Sequence, residues 1–89
     1  MLRLDLSRRS RDFIDSLGPK QFRQVVSKIF QLMEEPFPPD SRQLAGFPYH
    51  RADIGEYRIV YRVDRDTLRV ALVGKRNDNE VYRQLSRLM

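Results

Sequence analysis

The stretch RADIGEYRIVYRVDRDTLRVALVG, residues 51–74, decides the fold. It contains three segments rich in β-branched and aromatic residues, separated by GE at 55–56 and DRDT at 64–67. Such segments favour strands, and connections this short suit tight hairpins between antiparallel neighbours. The stretch therefore predicts a three-stranded antiparallel meander.

The alternation of side chains along a strand assigns faces to this meander. The middle strand divides into an apolar set and a partly cationic set: Tyr57, Ile59, Tyr61 and Val63 against Arg58, Val60 and Arg62. The last strand divides into two largely apolar sets: Leu68, Val70 and Leu72 against Arg69, Ala71 and Val73. We therefore expect the last strand to be central in the sheet.

The residues before the meander predict one strand and two helices. Leu2, Leu4 and Leu6 alternate with polar residues, as in a short half-buried strand. SRRSRDFIDSL (7–17) is typical of a short helix that Ser7 caps and that Gly18 ends in a left-handed conformation. Pro19 is suited to begin a second helix. Its helical repeat predicts a buried stripe that consists of Phe22, Val25, Val26, Ile29, Phe30 and Met33.

Three prolines within four residues, 36–39, end the second helix, and EEPFPPDSRQLAGFP (34–48) predicts a surface loop. After the meander, Asn77 and Glu80 form a capping-box pattern, and Val81, Leu85 and Leu88 predict the buried side of a last helix. The expected order is β-α-α-β-β-β-α. A helical hairpin and a C-terminal helix then surround a small, mainly antiparallel sheet, which is an α+β fold. At 89 residues, the length predicts one domain, 1–89.

Composition restricts the chemistry of this protein. The chain carries 17 basic and 12 acidic residues, and residues 42–89 hold ten of the basic against six of the acidic ones. Most of the cations are arginines, which favours a polyanionic partner, although arginines that cover a small core are the alternative. There is no cysteine and one histidine, His50, so disulfides and thiolate nucleophiles are excluded and no metal or cofactor is predicted. His50 lacks a catalytic partner motif and is predicted to be a packing or surface residue.

No segment reaches the roughly 20 apolar residues of a membrane span, and the N-terminus MLRLDLSRRS lacks the apolar run of a signal peptide. We expect a cytoplasmic protein that does not contact a membrane.

RADIGEYRIVYRV (51–63) and VGKRNDNEVYRQL (73–85) together resemble the RelE branch of the RelE/ParE superfamily of bacterial type II toxin–antitoxin toxins. The helical hairpin and RQLAGFPYHR (42–51) extend the resemblance over nearly the whole chain. It implies the RelE-like fold of microbial RNases and a ribosome-dependent mRNA endonuclease. It also implies that a cognate antitoxin inhibits the enzyme.

The resemblance implies that Arg58, Arg76 and Tyr82 are catalytic, and Arg51 matches a further basic position. The predicted RNA-binding residues are Arg51, Arg62, Lys75 and Arg83. Asp53 is a departure, because many RelE-type sequences carry a second cation there. This departure weakens either catalysis or recognition of ribosomal RNA.

The predicted chemistry needs no metal. The 2′-hydroxyl of RNA attacks the adjacent phosphorus, so the protein must remove a proton and stabilise negative charge. Arginines suit the phosphate, whereas a free phenol is only about 0.1% ionised at pH 7, so a tyrosine base depends on nearby cations.

Three alternatives stay open. In the first, Arg58 is an ordinary strand residue paired with Glu56 or a neighbouring Asp, and Tyr82 is a packing residue. In the second, the protein inhibits DNA gyrase as ParE toxins do. In the third, it is an inactive co-repressor that only binds its antitoxin.

Overall fold

The computed structural model describes residues 1–77 and 80–88, apart from the side chains of Glu80 and Leu88. Its elements along the chain are β1 Arg3–Leu6, α1 Arg8–Asp15, α2 Pro19–Glu34, β2 Ser41–Gln43, β3 His50–Ile54, β4 Tyr57–Asp64, β5 Thr67–Lys75 and α3 Glu80–Leu88. The predicted capping box and the predicted packing of Leu88 depend on side chains outside the described residues. None of the described helices is long and apolar enough to span a membrane.

Over the described residues, the sheet has five strands in the order β1-β5-β4-β3-β2. β1 is parallel to β5, and all other neighbours are antiparallel. The predicted meander and the α+β class are therefore confirmed. β5 is an interior strand between β1 and β4, as its two largely apolar faces predict, and β4 is the middle strand of the sheet.

β2 lies inside the segment predicted to be a loop. It is only three residues long and pairs with β3 at one edge of the sheet, with Ser41 opposite Ala52. Polar residues over so short a length carry no strand periodicity, and the strand exists because β3 offers its backbone for pairing.

The two hairpins of the meander both turn through a residue with positive φ. Gly55 has a φ of 56°, where glycine meets no steric penalty. Arg65 has a φ of 57° in the second hairpin, a left-handed conformation that costs an L-residue roughly 1–2 kcal/mol.

The helical hairpin begins and turns through specific caps. The Ser7 side chain accepts the N–H of Ser10 at 3.1 Å, as predicted for the start of α1. Gly18, however, has φ −64° and ψ 164° and caps the start of α2, so its predicted left-handed conformation is wrong. Extended backbone is required there because Pro19 follows directly as the first helical residue.

The core lies on both faces of the sheet. α1 and α2 cover one face, where Val25, Ile29 and Leu32 pack against Ile59 and Tyr61. α3 covers the opposite face, where the buried residues are Leu44, Val60, Leu72, Val81 and Leu85.

Two residues of the predicted α2 stripe are exposed. Phe22 is 39% exposed and Phe30 is 52% exposed, whereas Leu32, absent from the predicted stripe, is fully buried. The buried stripe therefore follows Val25, Ile29, Leu32 and Met33, and the two phenylalanines lie at its margin. There they line an apolar cleft of about 360 Å³ together with Leu4, Leu6, Ile14 and Val26.

β5 contains a bulge that changes the predicted faces. Tyr61 pairs with Val70 and Val60 pairs with Leu72, so Ala71 has no partner on β4. Leu68 and Val70 belong to the α1–α2 side, but Leu72 belongs to the α3 side, and the predicted common face is wrong beyond Ala71. An extra residue reverses the alternation of every later side chain. The bulge thereby directs Gly74 towards α3.

Candidate functional site

Asp53 and Arg58 form a double contact across two neighbouring strands. They face each other in the register of β3 and β4. Arg58 Nε donates to Asp53 Oδ1 at 2.7 Å, and Arg58 Nη2 donates to Asp53 Oδ2 at 3.1 Å. Arg51 Nη1 donates to the same Oδ2 at 3.3 Å. One carboxylate therefore holds two arginines on the sheet face that α3 covers.

Arg58 also joins the sheet to α3. Its Nη1 donates a hydrogen bond to the hydroxyl oxygen of Tyr82. Its guanidinium carbon lies 5.7 Å from the centre of the Tyr82 ring. Two of the three residues predicted to be catalytic are thus in direct contact.

Gly74 allows α3 to approach the sheet closely enough for this contact. It is the β5 partner of Arg58. A Cβ atom at Gly74 would lie 2.5 Å from Cγ2 of Val81, the residue before Tyr82. Only glycine leaves room for Val81 at this separation, so Gly74 sets the height of Tyr82 above the sheet.

Arg76, the third predicted catalytic residue, is exposed in the turn after β5. Its backbone N–H donates to the carbonyl oxygen of Glu56 at 2.8 Å, which anchors the turn to the β3–β4 hairpin. The Arg76 side chain acts on Asp53 electrostatically, because its positive charge helps to lower the pKa of the Asp53 carboxyl.

The other predicted RNA-binding residues lie at varied distances from this cluster. Arg51 belongs to it. Arg62 shares the face of Arg58 but lies four residues along β4, roughly 13 Å away. Lys75 pairs with Tyr57, whose ring packs on the opposite face, so strand alternation directs Lys75 away from Arg58. Arg83 follows Tyr82 on α3 and is exposed.

The charges of the cluster stabilise one another. Hydrogen bonding from Arg58 is the main cause that lowers the pKa of Asp53, with further attraction from Arg58, Arg51 and Arg76, against an opposing effect of burial. Hydrogen bonding to Asp53 is likewise the main cause that raises the pKa of Arg58. Among the described residues, three arginines and one aspartate therefore give this cluster a net charge of +2.

Asp53 was predicted only as a departure from the cation that many RelE-type sequences carry at this position. Its contact with Arg58 was not predicted. The two-residue GE hairpin contains enough information to pair position 53 with position 58, since a tight turn sets the register. His50 lies outside the cluster, with its ring between Phe37 at 4.7 Å and Tyr61 at 6.1 Å between centroids, as a packing residue. Within the described residues, no group of His, Asp and Glu side chains could hold a metal ion.

Comparison with known proteins adds two findings. A family model described as the ParE toxin of the type II toxin–antitoxin system parDE matches residues 5–80. Solved structures match the fold: a mutant of the E. coli toxin RelE in the free state has a TM-score of 0.80 and 26% identity, covering 99% of this chain and 98% of that one. No curated protein sequence matches significantly.

Two complexes match over a shorter range. The toxin in the intact E. coli RelBE toxin–antitoxin complex has a TM-score of 0.73 and 26% identity, covering 84% of this chain and 96% of that one. The RelBE2 toxin–antitoxin complex from Mycobacterium tuberculosis has a TM-score of 0.74 and 25% identity, covering 84% of this chain and 98% of that one.

Proposed function

The chain belongs to the ParE toxin family of type II toxin–antitoxin systems, and we propose that it acts as a ribosome-dependent mRNA endonuclease. The observation that carries this proposal is the contact between Arg58 and the Tyr82 hydroxyl, in a cluster whose Asp53 is also attracted by the exposed Arg76. A proton-transfer group next to cations is what metal-free RNA cleavage requires. The structural likeness to RelE at 26% identity supports the same activity.

In this mechanism, Tyr82 removes the proton of a 2′-hydroxyl. The 2′-oxygen attacks the adjacent phosphorus, the bond from phosphorus to the 5′-oxygen breaks, and that oxygen takes up a proton. The products are a 2′,3′-cyclic phosphate and a 5′-hydroxyl. Arg58 donates to the Tyr82 oxygen and stabilises the phenolate, the form of Tyr82 that accepts this proton and becomes neutral, while Arg76 contacts the nonbridging phosphate oxygens.

A cognate antitoxin is the partner that follows from this function. Related toxins are found in complexes with RelB antitoxins. The net positive charge around Arg51, Arg58 and Arg76 suits an antitoxin segment with acidic side chains, which would cover the site and exclude RNA. The ribosome and its mRNA are then the targets of the free toxin.

A second function is inhibition of DNA gyrase through binding alone. The match to the ParE family model favours it, and so does Asp53, whose carboxylate offsets part of the positive charge that RNA would meet. This function requires no proton transfer at Tyr82. A supercoiling assay with purified gyrase separates the two functions.

The test compares single-turnover cleavage of ribosome-bound mRNA by four variants. We expect Tyr82→Phe to lose about 10²- to 10⁴-fold, the usual contribution of a positioned proton-transfer group. Arg76→Ala should lose about 10²- to 10³-fold through a missing transition-state contact. Two matched controls should cleave as wild type does. One is Tyr49→Phe, because Tyr49 packs on the same side of the sheet as Tyr82, and the other is Arg23→Ala, because Arg23 is exposed on α2. Wild-type rates for both Tyr82→Phe and Arg76→Ala would refute the mechanism.

A further inference from the structure

Arg58 is held between two groups, and only one of them has a role in the proposed cleavage. We propose that Asp53 is a positioning residue that keeps Arg58 Nη1 on the hydroxyl oxygen of Tyr82. The three residues then act as one unit, and Asp53 acts on the reaction only through the other two. This inference rests on the proposed endonuclease function.

The geometry of the guanidinium explains how Asp53 does this. The group is planar, and Asp53 binds the edge formed by Nε and Nη2 at 2.7 and 3.1 Å. Two bonds along one edge fix both the position and the plane of the group. Nη1 lies beyond that edge, and its direction towards Tyr82 is set once the edge is held. Without the carboxylate, the flexible arginine side chain would sample other rotamers.

Asp53 is itself fixed from two directions. The register of β3 and β4 places it opposite Arg58, and the two-residue hairpin at Gly55 sets that register. Arg51 holds the second carboxylate oxygen at 3.3 Å. The side chains of Asp53 and Arg58 are only 26% and 13% exposed, so water competes little for the hydrogen bonds between them. The lowered pKa of Asp53 agrees with a carboxylate that stays ionised in this position.

The same contacts assign different roles to Arg58 and Arg76. Asp53 and Tyr82 engage all three nitrogens of Arg58, whereas the Arg76 side chain is exposed. Arg58 therefore serves Tyr82, and Arg76 is the arginine that meets the phosphate. The competing interpretation makes the Asp53 carboxylate a substitute for the phosphate that blocks Arg58. It predicts the opposite result when the carboxylate is removed.

The experiment measures single-turnover cleavage of ribosome-bound mRNA by Asp53→Ala and Asp53→Asn, each with Tyr82 present and with Tyr82→Phe. We expect Asp53→Ala to lose about 10²-fold, the effect of a small displacement of a reacting group. Asp53→Asn, which keeps one acceptor oxygen, should lose less. In the Tyr82→Phe background, neither variant should lose further activity, because the group on which Asp53 acts is gone. Asp66→Asn removes one negative charge from an exposed hairpin and should cleave as wild type does.

Faster cleavage by Asp53→Asn would overturn the proposal in favour of phosphate competition. Equal losses in both backgrounds would also overturn it, because they indicate a general structural role. If Asp53→Ala does not fold, Asp53→Asn alone decides between these outcomes.

A readout that does not involve cleavage separates this proposal from the proposed function. In protein with ¹³C-labelled tyrosine rings, the Tyr82 Cζ resonance should move in Asp53→Ala to the position that it takes in Arg58→Ala. It should stay in place in Asp66→Asn. An unmoved Tyr82 resonance in Asp53→Ala would overturn the positioning role even in an active enzyme. If the wild type does not cleave, the proposed function fails and this resonance alone tests the role of Asp53.

Discussion

Asp53 and Arg58 are both charged and mostly buried, so stability depends on pH through this pair. The folded state lowers the pKa of Asp53 below the 3.8 of a free carboxyl. A lowered pKa contributes stability that is fully present above the unfolded value and is lost as the pH falls through the folded value. The contribution of Asp53 should therefore be constant from neutral pH to about pH 5 and decline below about pH 4.

This decline can be isolated with Asp53→Asn in urea unfolding experiments between pH 2 and pH 7. At neutral pH we expect the variant to be less stable by about 1.5–3 kcal/mol, the usual range for a hydrogen bond to a charged group. The difference should shrink as the pH falls, since the wild-type carboxyl then becomes neutral too. Asp40, whose pKa is lowered mainly by a hydrogen bond from the buried Lys28, also contributes to acid unfolding, but equally in both proteins. A difference that stays constant with pH would contradict the coupling.

The packing of α3 on β5 depends on one residue without a side chain. Gly74→Ala places a methyl group 2.5 Å from Cγ2 of Val81, so the helix must move outwards. We expect a loss of about 1–3 kcal/mol in the free energy of unfolding, as for other overpacked cores. The Arg58–Tyr82 contact should weaken as well, because Tyr82 follows Val81 on the same helix. Urea unfolding and the Tyr82 Cζ resonance measure the two effects.

The cause can be assigned with a second substitution at Val81. Val81→Ala removes the methyl group with which the new side chain collides. It destabilises by itself, since Val81 is 5% exposed, but the double variant should be more stable than the sum of the two single effects predicts. Simple additivity would show that Gly74→Ala acts in some way other than this contact.

The elements differ in how well local sequence predicts them. The meander and both helices of the hairpin were predicted correctly, because their apolar repeats run over many residues. β2 and the bulge at Ala71 were not, since each is defined by pairing with a distant strand. The bulge has a tertiary partner as well: the Ser7 hydroxyl donates to the Ala71 carbonyl oxygen at 2.7 Å. Gly18 was assigned to the wrong helix end because a glycine suits both a helix end and the extended residue before proline.

The candidate site could be predicted in part. The contact between Arg58 and Tyr82 joins β4 to α3, and only the resemblance to a known family brought these positions together before the structure did. The role of Asp53 depends on which nitrogens it binds, and a sequence carries no such information. The exposed Phe22 and Phe30 follow from the rotation of α2 about its axis, which turns both rings towards a cleft that Leu4 and Leu6 also line.

The distribution of charge over the molecule predicts how ribosome binding responds to salt. The formal charge is +5, but several cations already have anionic partners in the fold. Arg69 contacts both Asp5 and Asp64, and Lys28 contacts Asp40 at 2.7 Å. The exposed Arg76 belongs instead to a cluster in which, among the residues that the structure describes, arginines outnumber carboxylates three to one. Arg76 should therefore release counterions from RNA, whereas Arg69 should contribute little.

We expect wild-type affinity for ribosomes to fall steeply between 50 and 200 mM salt, with a logarithmic slope of about 0.7–0.9 per neutralised phosphate. Arg76→Ala should reduce this slope by about one unit, the value expected when one phosphate contact is lost. Arg69→Ala removes the same formal charge and is the matched control, and its slope should equal that of the wild type because two aspartates already offset its charge. Fluorescence titration of labelled toxin with ribosomes at four salt concentrations measures all three slopes. A wild-type affinity independent of salt would indicate a protein or apolar target and would remove the support that the charge distribution lends to an RNA substrate.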